Sequence, residues 1–190
     1  MKEREFQTEL IRGLKFRGFH AVPIPDSGAQ RFDSRRCYDL GIGGSGIYYG
    51  VELKRGTTRL DFSVLQPHQR EALQECRDAG HVPLVICIFV HDRELIGGRP
   101  RVRKSRKTYE AWAVPFGTFV YAEKIADRKS APLEWWRNMG VELLPIKTPA
   151  FTRDGEPAYD AKGRRKWVWG WDFAEVHRTF GGFAVQSEVA

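Results

Sequence analysis

Apolar positions along this chain alternate between a helical period and a strand period. From about Lys2 to Phe16, Phe6, Leu10, Ile11 and Leu14 recur at the intervals of an amphipathic helix, which Gly18 should end. The spacing then shortens to two. Tyr49, Val51 and Leu53 fall on one face of a strand and Glu52 and Lys54 on the other, while Leu40 and Ile42 lie on the face opposite Asp39. Between these two strands Gly43-Gly44-Ser45-Gly46 can supply the positive φ values of a hairpin turn. Residues from Thr58 read as a loop, and Pro67 opens a helix whose stripe comprises Leu65, Ala72, Leu73 and Cys76. The uncharged run Val82–Val90 reads as a buried central strand. Tyr109–Val114 and Val141–Ile146 read as further strands, and Leu133–Met139 as a short helix after Pro132. This order predicts an α/β fold: a mixed central sheet of four or five strands flanked by the two long helices.

Three polar residues interrupt the pattern. Asp39, Glu52 and Lys54 converge on one face of adjacent strands, which brings together two carboxylates and an ammonium. Phosphodiester hydrolysis needs hard oxygen ligands for Mg²⁺, which typically takes one or two protein carboxylates, so Asp39 and Glu52 are the candidate metal ligands. Lys54 can orient the attacking water or offset charge on the phosphorane. Taken alone, an acid-x-Lys pair better suits the solvated face of an amphipathic strand, and the motif by itself is weak. Gln69 adds a second anomaly, being four residues after Leu65 and three before Ala72, in the middle of the apolar stripe. A buried amide without partners costs about 1–3 kcal/mol, so Gln69 should bond to something specific: a structural partner or the metal site. On the first helix, Glu3 and Gln7 lie on the apolar stripe and Glu5 and Glu9 beside it, which aims Glu3 inward. Glu3 is the candidate third acid, with Glu9 as the alternative, although the helix dipole alone favours an acid in a first turn.

The polar residues, taken with the segments around them, resemble a known family. A helix carrying Glu3-x-x-Phe6-Gln7 is followed by Asp39, by Glu52-x-Lys54, and by Phe62-Ser63-Val64-Leu65-Gln66-Pro67-His68-Gln69 leading into a helix and a Val/Ile-rich strand. This order resembles the PD-(D/E)XK nuclease superfamily, and within it the RecU-type Holliday-junction resolvases and their phage relatives; VRR-NUC nucleases carry a similar arrangement. The resemblance covers about residues 3–125. It implies a restriction-endonuclease-like core, a Mg²⁺-dependent endonuclease in which Mn²⁺ substitutes, branched DNA as substrate, a bacterial or phage origin, and a homodimer whose two sites cut opposing strands. Two departures stand out. Asp39 follows Cys37-Tyr38 where the superfamily name has proline, and the long basic N-terminal arm has no counterpart, a role Arg31, Arg35 and Arg36 would share. The same superfamily also contains enzymes acting on duplex, ends or flaps. An RNA-directed enzyme and a nucleic-acid-binding module without catalysis are the remaining alternatives.

Composition narrows the partner. A net charge of +7 suggests a polyanion, and Arg99, Arg101, Arg103, Lys104, Arg106 and Lys107 concentrate basic charge in one excursion at about residues 97–108. That run suits either a DNA-tracking ribbon or a solvated loop. With 190 residues and 42% hydrophobic content, one nuclease core over residues 1–127 is expected, with residues 128–190 as an extension packed on it. In that extension Trp167, Trp169 and Trp171 share a strand face, suited to stacking on unpaired bases, to core packing or to a dimer contact. Three cysteines, an odd number without a Cys-x-x-Cys pair, indicate neither a disulfide framework nor a zinc ribbon and predict a reducing compartment. The charged N-terminus lacks the apolar core of a signal peptide, and no apolar run approaches the ~20 residues of a membrane span. A cytoplasmic protein that does not engage the membrane is therefore expected.

Overall fold

The computed structural model describes residues 1–24, 38–91, 108–125, 129–152 and 156–181. In chain order the elements are α1 (Glu3–Phe16), β1 (His20–Pro23), β2 (Leu40–Gly44), β3 (Ile47–Gly56), β4 (Arg59–Asp61), a 3₁₀ turn (Phe62–Val64) and α2 (Pro67–Asp78). There follow β5 (Val82–His91), β6 (Thr108–Pro115), α3 (Phe116–Ile125), β7 (Ser130–Pro132), α4 (Leu133–Met139), β8 (Val141–Leu143), β9 (Pro145–Pro149), β10 (Trp167–Trp171) and α5 (Ala174–Phe180). Gly18 takes φ 82° just past the end of α1, a conformation that ends a helix at little steric cost for glycine. Ser45 and Gly46 carry the positive φ values of the β2–β3 turn.

Six strands form the main sheet in the order β1-β2-β3-β5-β6-β8. β3 and β5 pair in parallel, joined by the crossover that contains α2, and every other neighbour is antiparallel. The α/β layout with helices on a mixed central sheet is therefore as expected, with Val82–His91 in its interior. Strand alternation sorts the core into two layers. On one face Val51, Leu53, Leu84 and Ile86 meet Phe6, Leu10 and Leu14 of α1 and Val176 and Phe180 of α5. On the other, Val85, Cys87 and Phe89 meet Leu73 of α2, Phe119 of α3 and Trp136 of α4. Glu52 and Lys54 sit on this second face, opposite Val85 and Cys87 of β5 in the register. Cys76 and Cys87 are buried free thiols, and among the described residues no helix is long and apolar enough to cross a membrane.

Several local expectations need correction. The sheet has six strands rather than four or five, because its edges, His20–Pro23 and Val141–Leu143, are too short to show a period. The stretch after Thr58 is not all loop: Arg59–Asp61 pairs with β7. Val141–Ile146 is not one strand. It breaks at Leu144, because the residue before a proline is restricted and Pro145 has no N–H for the ladder. β8 stays in the main sheet while β9 pairs with β10 in a separate two-stranded ribbon. The tryptophan stripe also divides. Trp171 is 3% exposed and meets Phe6 edge to face, whereas Trp167 and Trp169 are 54% and 53% exposed.

The ribbon docks on α1 through glycine. A Cβ at Gly13 would lie 1.9 Å from the Trp171 carbonyl oxygen, a backbone atom that cannot swing aside. Gly13→Ala should therefore force α1 and β10 apart and cost about 1–3 kcal/mol in thermal melts, the usual range for overpacking. Gly43→Ala, where a Cβ meets nothing within 4 Å, should stay within about 0.5 kcal/mol of wild type. Equal melting temperatures for the two variants would contradict the close approach.

Candidate active site

Asp39 immediately precedes β2 and is fastened from four directions. Its N–H donates to the Val51 carbonyl at 3.0 Å, and its own carbonyl accepts from Ile24 N at 3.1 Å and from Gln7 Nε2 at 2.9 Å. Its Oδ2 accepts from Leu53 N at 2.7 Å. The aspartate thus caps the open end of the β2–β3 hairpin, one residue beyond the Leu40–Val51 pair. That places its carboxylate on the face of β3 that carries Glu52.

Glu52 occupies the middle of β3 and is 1% exposed. Its Oε1 accepts from Lys54 Nζ at 2.8 Å and from Gln69 Nε2 at 2.5 Å. Its Oε2 is buried with no hydrogen-bond partner. Burial first, then the neighbouring Asp39 carboxylate, push the Glu52 carboxyl up to about 7, against the pull of Lys54. Lys54, 13% exposed, also donates to Gln69 Oε1 at 3.2 Å. Glu52, Lys54 and Gln69 therefore form a closed triangle of hydrogen bonds, with one oxygen of Glu52 left over.

Gln69 reaches the sheet because α2 starts where it does. Pro67 occupies the first turn, where its missing N–H costs nothing, and Gln69 Oε1 accepts the Gln66 N–H at 3.1 Å. The amide is only half-buried, less enclosed than its place in the stripe suggested, and it serves helix cap and site together. A Cβ on Gly50 would lie 2.7 Å from Cys76 Sγ, so glycine there lets α2 lie close on β3. Arg70 holds the approach to the helix. Its guanidinium donates to the carbonyls of Leu65 and Phe62 at 2.9 and 2.6 Å and to Glu123 of α3 at 2.5 Å.

The structure thus gathers Asp39, Glu52, Lys54 and Gln69 at one point. Glu3 is not aimed inward: it is exposed, lining a cleft with Arg55, Arg59 and Asp61. Glu9 turns to the ribbon, where its Oε2 accepts from Trp171 Nε1 at 3.0 Å. Gln7 is the residue of α1 that reaches the Asp39 segment, and its place on the stripe beside Glu3 was the signal for it. Nothing local in the sequence marks Arg70 as a clamp, since its partners are carbonyls and a glutamate far along the chain. Arg31, Arg35, Arg36, Arg99, Arg101, Arg103, Lys104, Arg106 and Lys107 lie outside the described residues. Among the described residues no three His, Cys, Asp or Glu side chains cluster as a ready-made metal cage. The polar cluster holds two carboxylates, the number a hydrated magnesium ion ordinarily takes.

No family model matches the chain, and no curated protein matches it. Among solved structures it is similar to Hjc, a Holliday junction resolvase from the archaeal hyperthermophile Archaeoglobus fulgidus. That match has 19% identity and a TM-score of 0.47, and covers 73% of this chain and 94% of that one.

The Glu52 carboxyl has a consequence for stability. Unfolded, it releases its proton near its ordinary value of 4.5; folded, it keeps it up to about 7. Between those values the native state binds more protons than the unfolded chain, so this group makes stability fall as pH rises from 4.5 to about 7. In metal-free buffer the melting temperature of Glu52→Gln should decline less across that window than that of wild type. Parallel pH profiles of the two proteins would show that Glu52 is not desolvated in this way.

Proposed function

We propose that the protein is a metal-dependent endodeoxyribonuclease that hydrolyses phosphodiester bonds, with branched DNA such as a Holliday junction as its substrate. The observation that carries this reading is the Glu52 carboxylate, buried beside Asp39 with Oε2 unpartnered and Oε1 held by Lys54 and Gln69. Ionising that carboxyl without a partner is costly, which is why it keeps its proton up to about 7, and a hard divalent cation would relieve the cost. The donor set fits Mg²⁺, with Asp39 and Glu52 as ligands and Mn²⁺ as a substitute. When bound, such an ion supplies Lewis-acid charge to a phosphate oxygen and makes water a stronger nucleophile at neutral pH.

The side chains themselves do the positioning. Lys54 carries three donors, two of them committed to Glu52 and Gln69, which fixes its ammonium at the site and leaves donor capacity for a phosphate oxygen or the attacking water. Gln69 locks the rotamers of both neighbours. Leu53 N holds the Asp39 carboxylate in the orientation that faces Glu52. Because Glu52 keeps its proton up to about 7 without a cation, metal binding should release that proton and strengthen with pH. Glu3, at the cleft beside the end of β3, is the acid that α1 can offer. Symmetric cuts in a four-way junction require two such sites, which a homodimer supplies. The order of Asp39, Glu52-x-Lys54 and the Gln66-Pro67-His68-Gln69 helix start supports the junction-resolving branch.

Cleavage of four-way junction, flap, single-stranded and linear duplex DNA of matched sequence tests this. In Mg²⁺, wild type should cut the junction preferentially, and Asp39→Asn and Glu52→Gln should each cut at least about a hundredfold more slowly while binding DNA normally in EDTA. Mg²⁺ should raise the melting temperature of wild type and leave both variants unmoved. Gln69→Leu should lose about 10–100-fold in rate, as expected for a residue supporting a ligand, and about 0.5–2 kcal/mol of stability through its lost cap. Near-wild-type cleavage by Asp39→Asn or Glu52→Gln would remove the proposed site.

DNA binding is proposed to draw on Arg31, Arg35, Arg36 and the run Arg99–Lys107. Replacing Arg101, Arg103, Lys104 and Arg106 with Ala should weaken binding to all sequences alike. It should also flatten the dependence of log affinity on log salt by about 0.9 for each phosphate that is no longer neutralised. An unchanged salt slope would assign the run to a solvated loop.

A further inference from the structure

We propose that the solvent face of the β9–β10 ribbon is a binding site for unpaired bases of single-stranded nucleic acid, separate from the Glu52 site. Trp167 and Trp169 are 54% and 53% exposed, and two positions beyond the end of β9 Phe151 is 56% exposed. Trp169 pairs in register with Lys147, whose ammonium lies 5.6 Å from the indole centroid. Trp167 pairs with Pro149, a small rigid neighbour that leaves its ring uncovered. Opposite them in the fold, Val168 and Gly170 turn towards α1, and Gly170 packs against the Gly13 backbone. The ribbon is therefore held from behind while its indoles face solvent.

Neither core packing nor capping accounts for these two rings. Trp171, the third of the series, shows what packing looks like here: it is buried against Phe6 and its Nε1 is bonded to Glu9. Trp167 and Trp169 remain open, about 7 Å apart at two strand residues, which is about twice the 3.4 Å rise of a nucleotide in a stacked strand. That spacing admits one base between the rings, or one splayed base on each. Single-strand binding proteins combine such platforms with a basic track for the backbone.

Charge selects the occupant. Between Leu144 and Trp171 the described residues include five basic side chains, Lys147, Lys162, Arg164, Arg165 and Lys166, against two acids, Glu156 and Asp160. Asp160 is already paired with Arg164 at 2.8 Å. Lys147, in register with Trp169, has no carboxylate partner among the described residues and gives the aromatic face a cationic rim, whereas Lys166 lies with Val168 on the α1 side of the ribbon. A second apolar protein surface would gain nothing from that rim, whereas a phosphate backbone would. A duplex presents phosphates but hides its base faces in the stack, so the exposed indoles favour a single strand.

The test is tryptophan fluorescence of the full chain in EDTA, which removes cleavage and keeps the result independent of the Glu52 reading. Titrants are a short oligothymidylate, an oligouridylate of the same length and a blunt duplex. The single strand should quench emission, and Trp167→Ala/Trp169→Ala should abolish the quench and bind at least about tenfold more weakly. Trp167→Phe/Trp169→Phe should keep most of the affinity by a competition assay, and all variants should melt with wild type because both rings are exposed. The stronger of the two single strands assigns the sugar, and either one bound through the tryptophans upholds the site. Quenching by duplex equal to that by single strand would overturn it, as would unchanged affinity in the alanine variant. Concentration-dependent self-association that disappears in that variant, without any quench by single strands, would overturn it too and assign the ribbon to contact between copies of the chain.

Discussion

The placement of a carboxylate in the interior of the central strand is the constraint on which the rest of this structure turns. Glu52 lies between β2 and β5 with almost no exposure, where ionisation is opposed by lost hydration and by Asp39. The chain supplies only part of the compensation. Lys54 and Gln69 satisfy one oxygen, and the other is left without a donor. A sequence selected for stability alone would place an apolar residue here, as β5 does with Val85 directly across the register. The cation proposed for this site would supply the partner that the chain leaves out.

Keeping that carboxylate in place sets the geometry of the surrounding layer. α2 must begin at the sheet rather than beside it, so that a residue of its first turn reaches Glu52. Pro67, the Gln66–Gln69 cap and the close approach over Gly50 achieve this together. Arg70 then ties the turn before α2 to α3 by bonding two carbonyls and Glu123. On the hairpin side, the Asp39 backbone is bonded to β3, to the segment after β1 and to Gln7 of α1. The acid at the edge of the site is therefore held by its own sheet and, through Gln7, by the helix of the opposite layer.

Residues after Ser130 contribute to this frame as well as to the exposed ribbon. Val176 and Phe180 of α5 close the apolar layer that α1 begins, and β8 forms an edge of the main sheet. β9 and β10 lean on α1 through Gly13 and Gly170, and Trp171 covers Phe6 while binding Glu9. Two tryptophans of one alternating series thus remain in solvent, because only the last of them reaches the helix.

Much was legible in the residues taken in order. Periods of 3.6 and two located α1, α2 and the β2–β3 hairpin, because long elements with one buried face repeat their apolar positions, and an unbroken uncharged run located β5, which is buried on both faces. The same alternation put Asp39, Glu52 and Lys54 on a common face, since side-chain direction in a strand is a local property. The anomaly of Gln69 in an apolar stripe was also local, and its amide does bond Glu52 and Lys54. Other features depended on contacts between distant residues. Edge strands of three or four residues carry no period, and Pro145 sends one apolar run into two sheets. The inward or outward fate of Glu3, Glu9 and Gln7 was set by what lies across from α1: Trp171 takes Glu9 and the Asp39 carbonyl takes Gln7. Sequence determined which faces the side chains occupy, because that follows from backbone geometry within a few residues. Tertiary structure alone decided which of those faces are buried and what each polar atom meets, because burial and hydrogen bonding depend on partners that the chain brings together only when it folds.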